Sequence, residues 1–177
     1  MSDKSRKRVT RDELFSKICY EVSQRSTCLR SQVGALVVRD GRIISMGYNG
    51  PVSNMPVCIS RPTEGELDSS QRLNVYHAIQ DDYYCMGPGC TRSVHAEMNA
   101  IAFAARAGVS VDGCTMYCSM SPCINCAKVI VNSGIKELKY LEDYRDTSGL
   151  RLLKKVGIKV EKLSLKENSG DELLIDS

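Results

Sequence analysis

The side chains of this sequence best suited to chemistry lie in two short motifs, His95-Ala96-Glu97 and Pro122-Cys123-Ile124-Asn125-Cys126. One imidazole and two thiolates make three ligands for a tetrahedral ion such as zinc and leave a fourth position open for water, which is the catalytic arrangement; a structural site would be closed. Two thiolates cancel the charge of Zn²⁺, so its water is acidified less than at a three-histidine site and a nearby proton acceptor is needed. Glu97 is placed to be that acceptor. Either motif alone is weak, because His-x-Glu occurs by chance and Cys-x-x-Cys also serves redox and structural pairs. Their combination in this order, with a proline directly before the first cysteine, is far more specific.

The elements around the motifs must bring them together. Residues two apart on a helix point to different sides, so His95 and Glu97 share a site only if His95 stands at a helix N-terminus. The pattern meets that demand: Ala96 to Arg106 is alanine-rich and stops near Gly108, as a helix would. Cys123 to Ser133 reads as a second helix ended by Gly134, with both sulfurs on one face of its first turn and Pro122 suited to a helix start. Both N-termini would then aim partial positive charge at the metal. Before these, Thr10 and Glu13 form a capping box for a helix running to about Thr27. Val33 to Val38, the turn Asp40-Gly41 and Arg42 to Tyr48 make a hairpin. Cys114 to Met120, Ile135 to Leu141 and Ile158 to Leu163 read as strands, with a helix over Ser148 to Val156. The order predicts an α/β three-layer α/β/α sandwich around a mixed five-stranded sheet.

A chain of 177 residues, 42% hydrophobic, suits one domain, here residues 1–165, followed by a polar tail over 166–177. Its net charge is only +3, partly from the run Lys4, Arg6, Lys7, Arg8, so no broad basic face is expected and nucleic acid is not the default partner. No stretch is apolar enough for a membrane span and the N-terminus has no signal-like core, so a cytoplasmic protein without membrane partners is expected. Nine cysteines at irregular spacing favour thiolate and metal chemistry over a disulfide framework. Residues 50–92 show neither period and hold four of the five prolines; so long a segment needs an anchor. Cys28, Cys58, Cys85 and Cys90 have no strand or helix role, and a closed second zinc site of these four thiols would supply it. His77 is an alternative ligand, and buried free cysteines are the other reading. Cys19, Cys114 and Cys118 are expected to be packing residues.

The two motifs together form the signature of the zinc deaminases. The chain is identified as a member of the cytidine deaminase-like superfamily and closely resembles the deoxycytidine monophosphate (dCMP) deaminases of bacteria and phages. The resemblance rests on His95 to Ile101, Ser121 to Lys128, Gly47-Tyr48-Asn49-Gly50, Ser31 to Ala35 and Ser133 to Lys136, and spans roughly residues 10 to 162. It implies hydrolytic deamination at C4 of cytosine by a zinc-activated water, giving dUMP for thymidylate synthesis, with Glu97 moving the protons. Asn49 resembles the residue that holds the sugar 3′-hydroxyl, or is simply a turn residue before Gly50. Tyr144 occupies the position of an aromatic near the pyrimidine, or is one tyrosine among eight. Arg25 is the first candidate for substrate phosphate, with Arg30 and Arg145 next. Similar enzymes carry a second zinc in the insert with mixed Cys and His ligands.

The resemblance also implies a homo-oligomer, often a hexamer, activated by dCTP with Mg²⁺ and inhibited by dTTP, in a host cytoplasm if the source is viral. Phe103 and Arg106 match a segment that phage relatives use at a subunit contact tied to that control, and Arg42 is the candidate for effector phosphate. The plainer reading makes Phe103 a core residue and Arg106 a favourable cation at a helix C-terminus. The rival functions are a tRNA adenosine deaminase, expected to be more basic and to lack this insert, and a non-catalytic zinc module, which would need a fourth ligand and no Glu97. A riboflavin-pathway deaminase would adjoin a reductase domain for which this chain has no room.

Overall fold

The computed structural model describes residues 8–28, 30–54 and 93–164. Helix α1 (Arg11–Ser23) starts on the capping box: Thr10 Oγ1 accepts from the Glu13 amide at 3.1 Å and the Glu13 carboxylate accepts from the Thr10 amide at 2.8 Å, which satisfies donors that a helix end leaves open. The helix stops at Ser23, short of the expected Thr27. The amides of Gln24, Arg25 and Ser26 each bond a carbonyl three residues back, so the last turn tightens. Ser26 is then drawn away by a 2.7 Å hydrogen bond from its hydroxyl to the Asn49 carbonyl.

Strands β1 (Gly34–Arg39) and β2 (Arg42–Tyr48) form the expected hairpin. Asp40 and Gly41 turn it with φ of 51° and 73°, the left-handed pair that matches the twist of the flanking strands. A two-residue strand β3 (Gly50–Pro51) pairs antiparallel with β4 (Ser93–Val94) and closes the base of the long insert. Sequence periodicity could not show elements so short. The chain continues as helix α2 (Ala96–Arg106), β5 (Thr115–Met120), helix α3 (Ile124–Asn132), β6 (Glu137–Glu142), helix α4 (Ser148–Lys155) and β7 (Lys159–Lys162). Two boundaries differ from expectation in an informative way. Cys123 is the N-cap residue of α3 and not within its first turn. Strand β6 starts at Glu137, because Gly134 takes a φ of 83° after α3 and Ile135 turns into the core.

The five-stranded sheet has the order β2-β1-β5-β6-β7. Its first pairs are antiparallel, whereas β5, β6 and β7 run parallel, joined by α3 and α4 as crossover helices. Strand β1 lies inside the sheet and is buried along nearly its whole length, which explains its continuous apolar run. One layer of core sets Ala35, Val37, Met116 and Leu138 against Ala96, Ala100, Ala104, Ile130 and Leu153 of α2, α3 and α4. The opposite layer sets Leu36, Val38 and Tyr117 against Phe15 and Cys19 of α1. This is the three-layer α/β/α sandwich. Cys19, Cys114 and Cys118 are buried within it. At the rim of the α1 face, Asp12 accepts from Lys139 at 2.8 Å and from the Tyr117 hydroxyl at 2.6 Å, tying the first helix to β5 and β6. Among the described residues no helix is long and apolar enough to cross a membrane.

Small residues let two helices approach the sheet and each other closely. A Cβ at Gly47 would press on the Ala96 carbonyl and on the Ala100 amide of α2, both rigid backbone. A Cβ at Gly149 would press on the Pro122 and Cys123 carbonyls, so the start of α4 lies directly on the turn that carries Cys123. Gly47→Ala should therefore lower stability by about 1–3 kcal/mol through overpacking. A urea unfolding midpoint equal to that of the unsubstituted protein would show that α2 is not pressed against β2.

Candidate active site

The site forms where α2 and α3 begin. Strand β5 ends at Met120, and Ser121, Pro122 and Cys123 lead directly into α3, so Cys123 sits beyond the carboxyl end of a strand whose neighbour on one side is parallel and on the other antiparallel. Both His95 and Cys123 are N-cap residues in extended conformation, and neither side chain caps its own helix. Residues at N-caps usually bond the first helical amides; these two point elsewhere. The His95 Nδ1 lies 3.5 Å from Cys123 Sγ and 3.3 Å from Cys126 Sγ, and all three donor atoms lie within 4.8 Å of one another.

These distances test the fit of a metal. Tetrahedral zinc with bonds of about 2.3 Å to sulfur and about 2.0–2.1 Å to nitrogen places nitrogen and sulfur about 3.6 Å apart. The donor set and its spacing fit such an ion. A hydrogen bond from Cys126, and then the neighbouring imidazole, hold the Cys123 thiol down to about 3 against its partial burial. Cys126, which donates that bond, is pushed far up. Glu97 is 4% exposed, in hydrogen-bond contact with Cys126, and burial raises its carboxyl above the usual range. A buried carboxyl of raised pKa beside a ligand cluster at two helix N-termini is suited to taking up and giving back a proton.

Other residues singled out by sequence lie in several places around this cluster. Arg25, Asn49, Phe103 and Arg106 all line one groove of about 1160 Å³ between α1, the end of β2 and α2. Asn49 is buried, with its Oδ1 accepting from the Val33 amide at 2.8 Å and its Nδ2 donating to the Ser31 carbonyl at 2.9 Å. Phe103 is 49% exposed, which corrects the reading of it as a core residue: on α2 the inward positions are Ala96, Ala100 and Ala104, and Phe103 points off that stripe. Tyr144 is half-buried in the loop after β6, where its amide donates to Ser121 Oγ at 2.8 Å and the Arg145 guanidinium lies over its ring at 5.5 Å. That bond ties the loop to the residue just before Pro122.

Arg42 is not brought to the others. It opens β2 opposite Arg39, at the far end of a strand about 20 Å long, away from the groove end at Tyr48. Arg30 is exposed on the approach to β1. Of the second thiol set, Cys28 is half-buried with its amide donating to Ser26 Oγ at 3.2 Å, whereas Cys58, Cys85, Cys90 and His77 lie outside the described residues. Ser26, Asn99 and Ser121 were given no site role by the sequence, although Asn99 stands four residues from His95, the spacing that shares a helix face.

Comparison with known proteins is consistent across sequence and structure. Residues 9–142 match the family model described as the cytidine and deoxycytidylate deaminase zinc-binding region. The deoxycytidylate deaminase of Enterobacteria phage T4 is 39% identical over 148 residues, covering 72% of this chain and 76% of its own. ComE operon protein 2 of Bacillus subtilis is 35% identical over 170 residues, covering 96% of this chain and 77% of its own. Among solved structures, the dCMP deaminase of cyanophage S-TIM5 in complex with dCMP and dUMP matches with a TM-score of 0.68 at 30% identity, covering 89% of this chain and 100% of that one.

Proposed function

The chain belongs to the cytidine and deoxycytidylate deaminase family, and from that membership we propose that it is a zinc-dependent dCMP deaminase, releasing ammonia and dUMP. The observation that carries the reading is the spacing of His95, Cys123 and Cys126, which fits a tetrahedral ion, with the buried Glu97 beside them. Those three residues would hold the zinc, which supplies the Lewis acidity that makes water a nucleophile at neutral pH. Glu97 takes a proton from the attacking water and passes it to ring N3 as water adds at C4. It then takes the proton of the new C4 hydroxyl and delivers it to the departing amine, so that the C4–N bond breaks, ammonia leaves and a carbonyl remains. Asn49 and Arg25 in the groove are the proposed contacts to the sugar 3′-hydroxyl and the phosphate, and Tyr144 the contact to the base. The cyanophage enzyme crystallised with dCMP and dUMP supports the choice of a free nucleotide. Ammonia release from dCMP, set against inosine formation in an adenosine-containing tRNA anticodon stem, separates this reading from its nearest rival. Turnover of the stem-loop alone would sink it.

Two finer readings belong to the same proposal. Cys28, Cys58, Cys85 and Cys90 are proposed to hold a second, structural zinc. Metal-replete protein should then carry about two zinc ions per chain, and Cys58→Ser about one; finding about one in both would remove the second site. The enzyme is also proposed to be a homo-oligomer, hexameric by analogy, activated by dCTP with Mg²⁺ and inhibited by dTTP, with Arg42, Phe103 and Arg106 in the control. Initial rates should then be sigmoidal in dCMP, become hyperbolic with dCTP and Mg²⁺, and flatten in Arg106→Glu, since an effector acts only through unequal affinity for two states. Hyperbolic rates indifferent to both triphosphates would contradict the regulatory part alone.

A further inference from the structure

The corner Tyr48-Asn49-Gly50 carries the end of β2 past the groove and is fastened on both sides by side chains. From the α1 side, Ser26 Oγ donates to the Asn49 carbonyl at 2.7 Å, and the Ser26 carbonyl accepts from Gln32 Nε2 at 2.8 Å. Ser26 is 3% exposed, so its hydroxyl bond is sheltered from competing water. From the α2 side, Asn99 Nδ2 donates to the Tyr48 carbonyl at 2.8 Å. Asn99 is one turn past His95, whose carbonyl accepts the Asn99 amide at 2.9 Å. The close approach at Gly47 makes this reach possible, and Ser45 Oγ adds a bond to the Ala100 carbonyl at 2.7 Å. Ser45, Gly47 and Tyr48 therefore all meet the helix that carries His95 and Glu97.

We propose that Ser26 and Asn99 are positioning residues that fix the Asn49 amide relative to Glu97 and thereby set selection for the sugar hydroxyl of the substrate. The inference rests on the dCMP reading and on the role given there to Asn49. An amide side chain has two N–H donors and one oxygen. Among the described residues Asn49 commits its oxygen to Val33 and one N–H to Ser31, so its second N–H has a direction fixed by the corner. A shift of about 1 Å in such a group is enough to lose an oriented contact. Ser26 and Asn99 act on the backbone carbonyls of the corner, Ser26 from a buried position and Asn99 from the groove wall.

The test compares kcat/KM for dCMP and for 2′,3′-dideoxycytidine monophosphate in the wild type, Ser26→Ala and Asn99→Ala. The wild type should prefer dCMP by at least about tenfold, because a site built to bond a hydroxyl rejects the analogue that lacks it. Each variant should bring that preference within about threefold, by a higher KM for dCMP, with the dideoxy substrate within about threefold of wild type and zinc content unchanged. A merely structural role would depress both substrates alike and leave the preference intact, which overturns the proposal. The two variants lie on opposite sides of the corner, and Asn99 is half-buried, so Asn99→Ala is expected to fold and keeps the test decisive even if Ser26→Ala does not fold. Absence of dCMP turnover in the wild type would instead overturn the functional reading beneath it.

Discussion

Glu97→Gln should lower kcat for dCMP by at least about 10³-fold while leaving zinc content and unfolding behaviour at wild-type values. The amide keeps the size and polarity of the carboxyl in a site where Glu97 is 4% exposed, so the pocket stays filled. It cannot accept the water proton or return it to the leaving amine. Glu97 offers no ligand in the spacing that gathers His95, Cys123 and Cys126, so the ion should remain. Wild-type turnover in zinc-loaded Glu97→Gln would remove Glu97 from the chemistry. Loss of zinc together with activity would make it part of the metal site instead.

Cys123→Ala should remove both zinc and activity. Cys123 is the N-cap of α3, its sulfur lies 3.5 Å from His95 Nδ1, and its thiol is the one held at about 3. Removing it leaves one imidazole and one thiol, too few to hold zinc against dilution. The fold should survive largely intact, because Cys123 is only partly buried and the core beneath the site is built from Ala127, Ile130 and Met116. Metal analysis after gel filtration, with circular dichroism on the same sample, checks both halves. Full occupancy at this site in Cys123→Ala would contradict the ligand assignment.

The parts of the fold that were legible in the sequence are those with strong local signals. Thr10 and Glu13 announce the start of α1, Asp40-Gly41 the hairpin, and the apolar runs the inner strands. The two motifs were legible as helix starts, and the structure places His95 and Cys123 as N-caps. What was not legible depends on contacts between distant segments. The early end of α1 follows from a bond between Ser26 and Asn49, far apart in the chain. The β3–β4 pair is too short for any period. The exposure of Phe103 follows from which alanines of α2 face the sheet, which a spacing argument alone left open. Asn99 and Ser121 sit inside the recognised motifs, yet their partners, the Tyr48 carbonyl and the Tyr144 amide, come from other elements. The gathering of Arg25, Asn49, Phe103 and Arg106 on one groove is likewise a product of packing.

The most direct test of the account is product analysis of dCMP incubated with the zinc-loaded protein. Equimolar dUMP and ammonia should appear, stop when a chelator strips the metal, and resume when zinc is restored. Failure of zinc-replete protein to form dUMP above the level seen with Glu97→Gln would contradict the central claim.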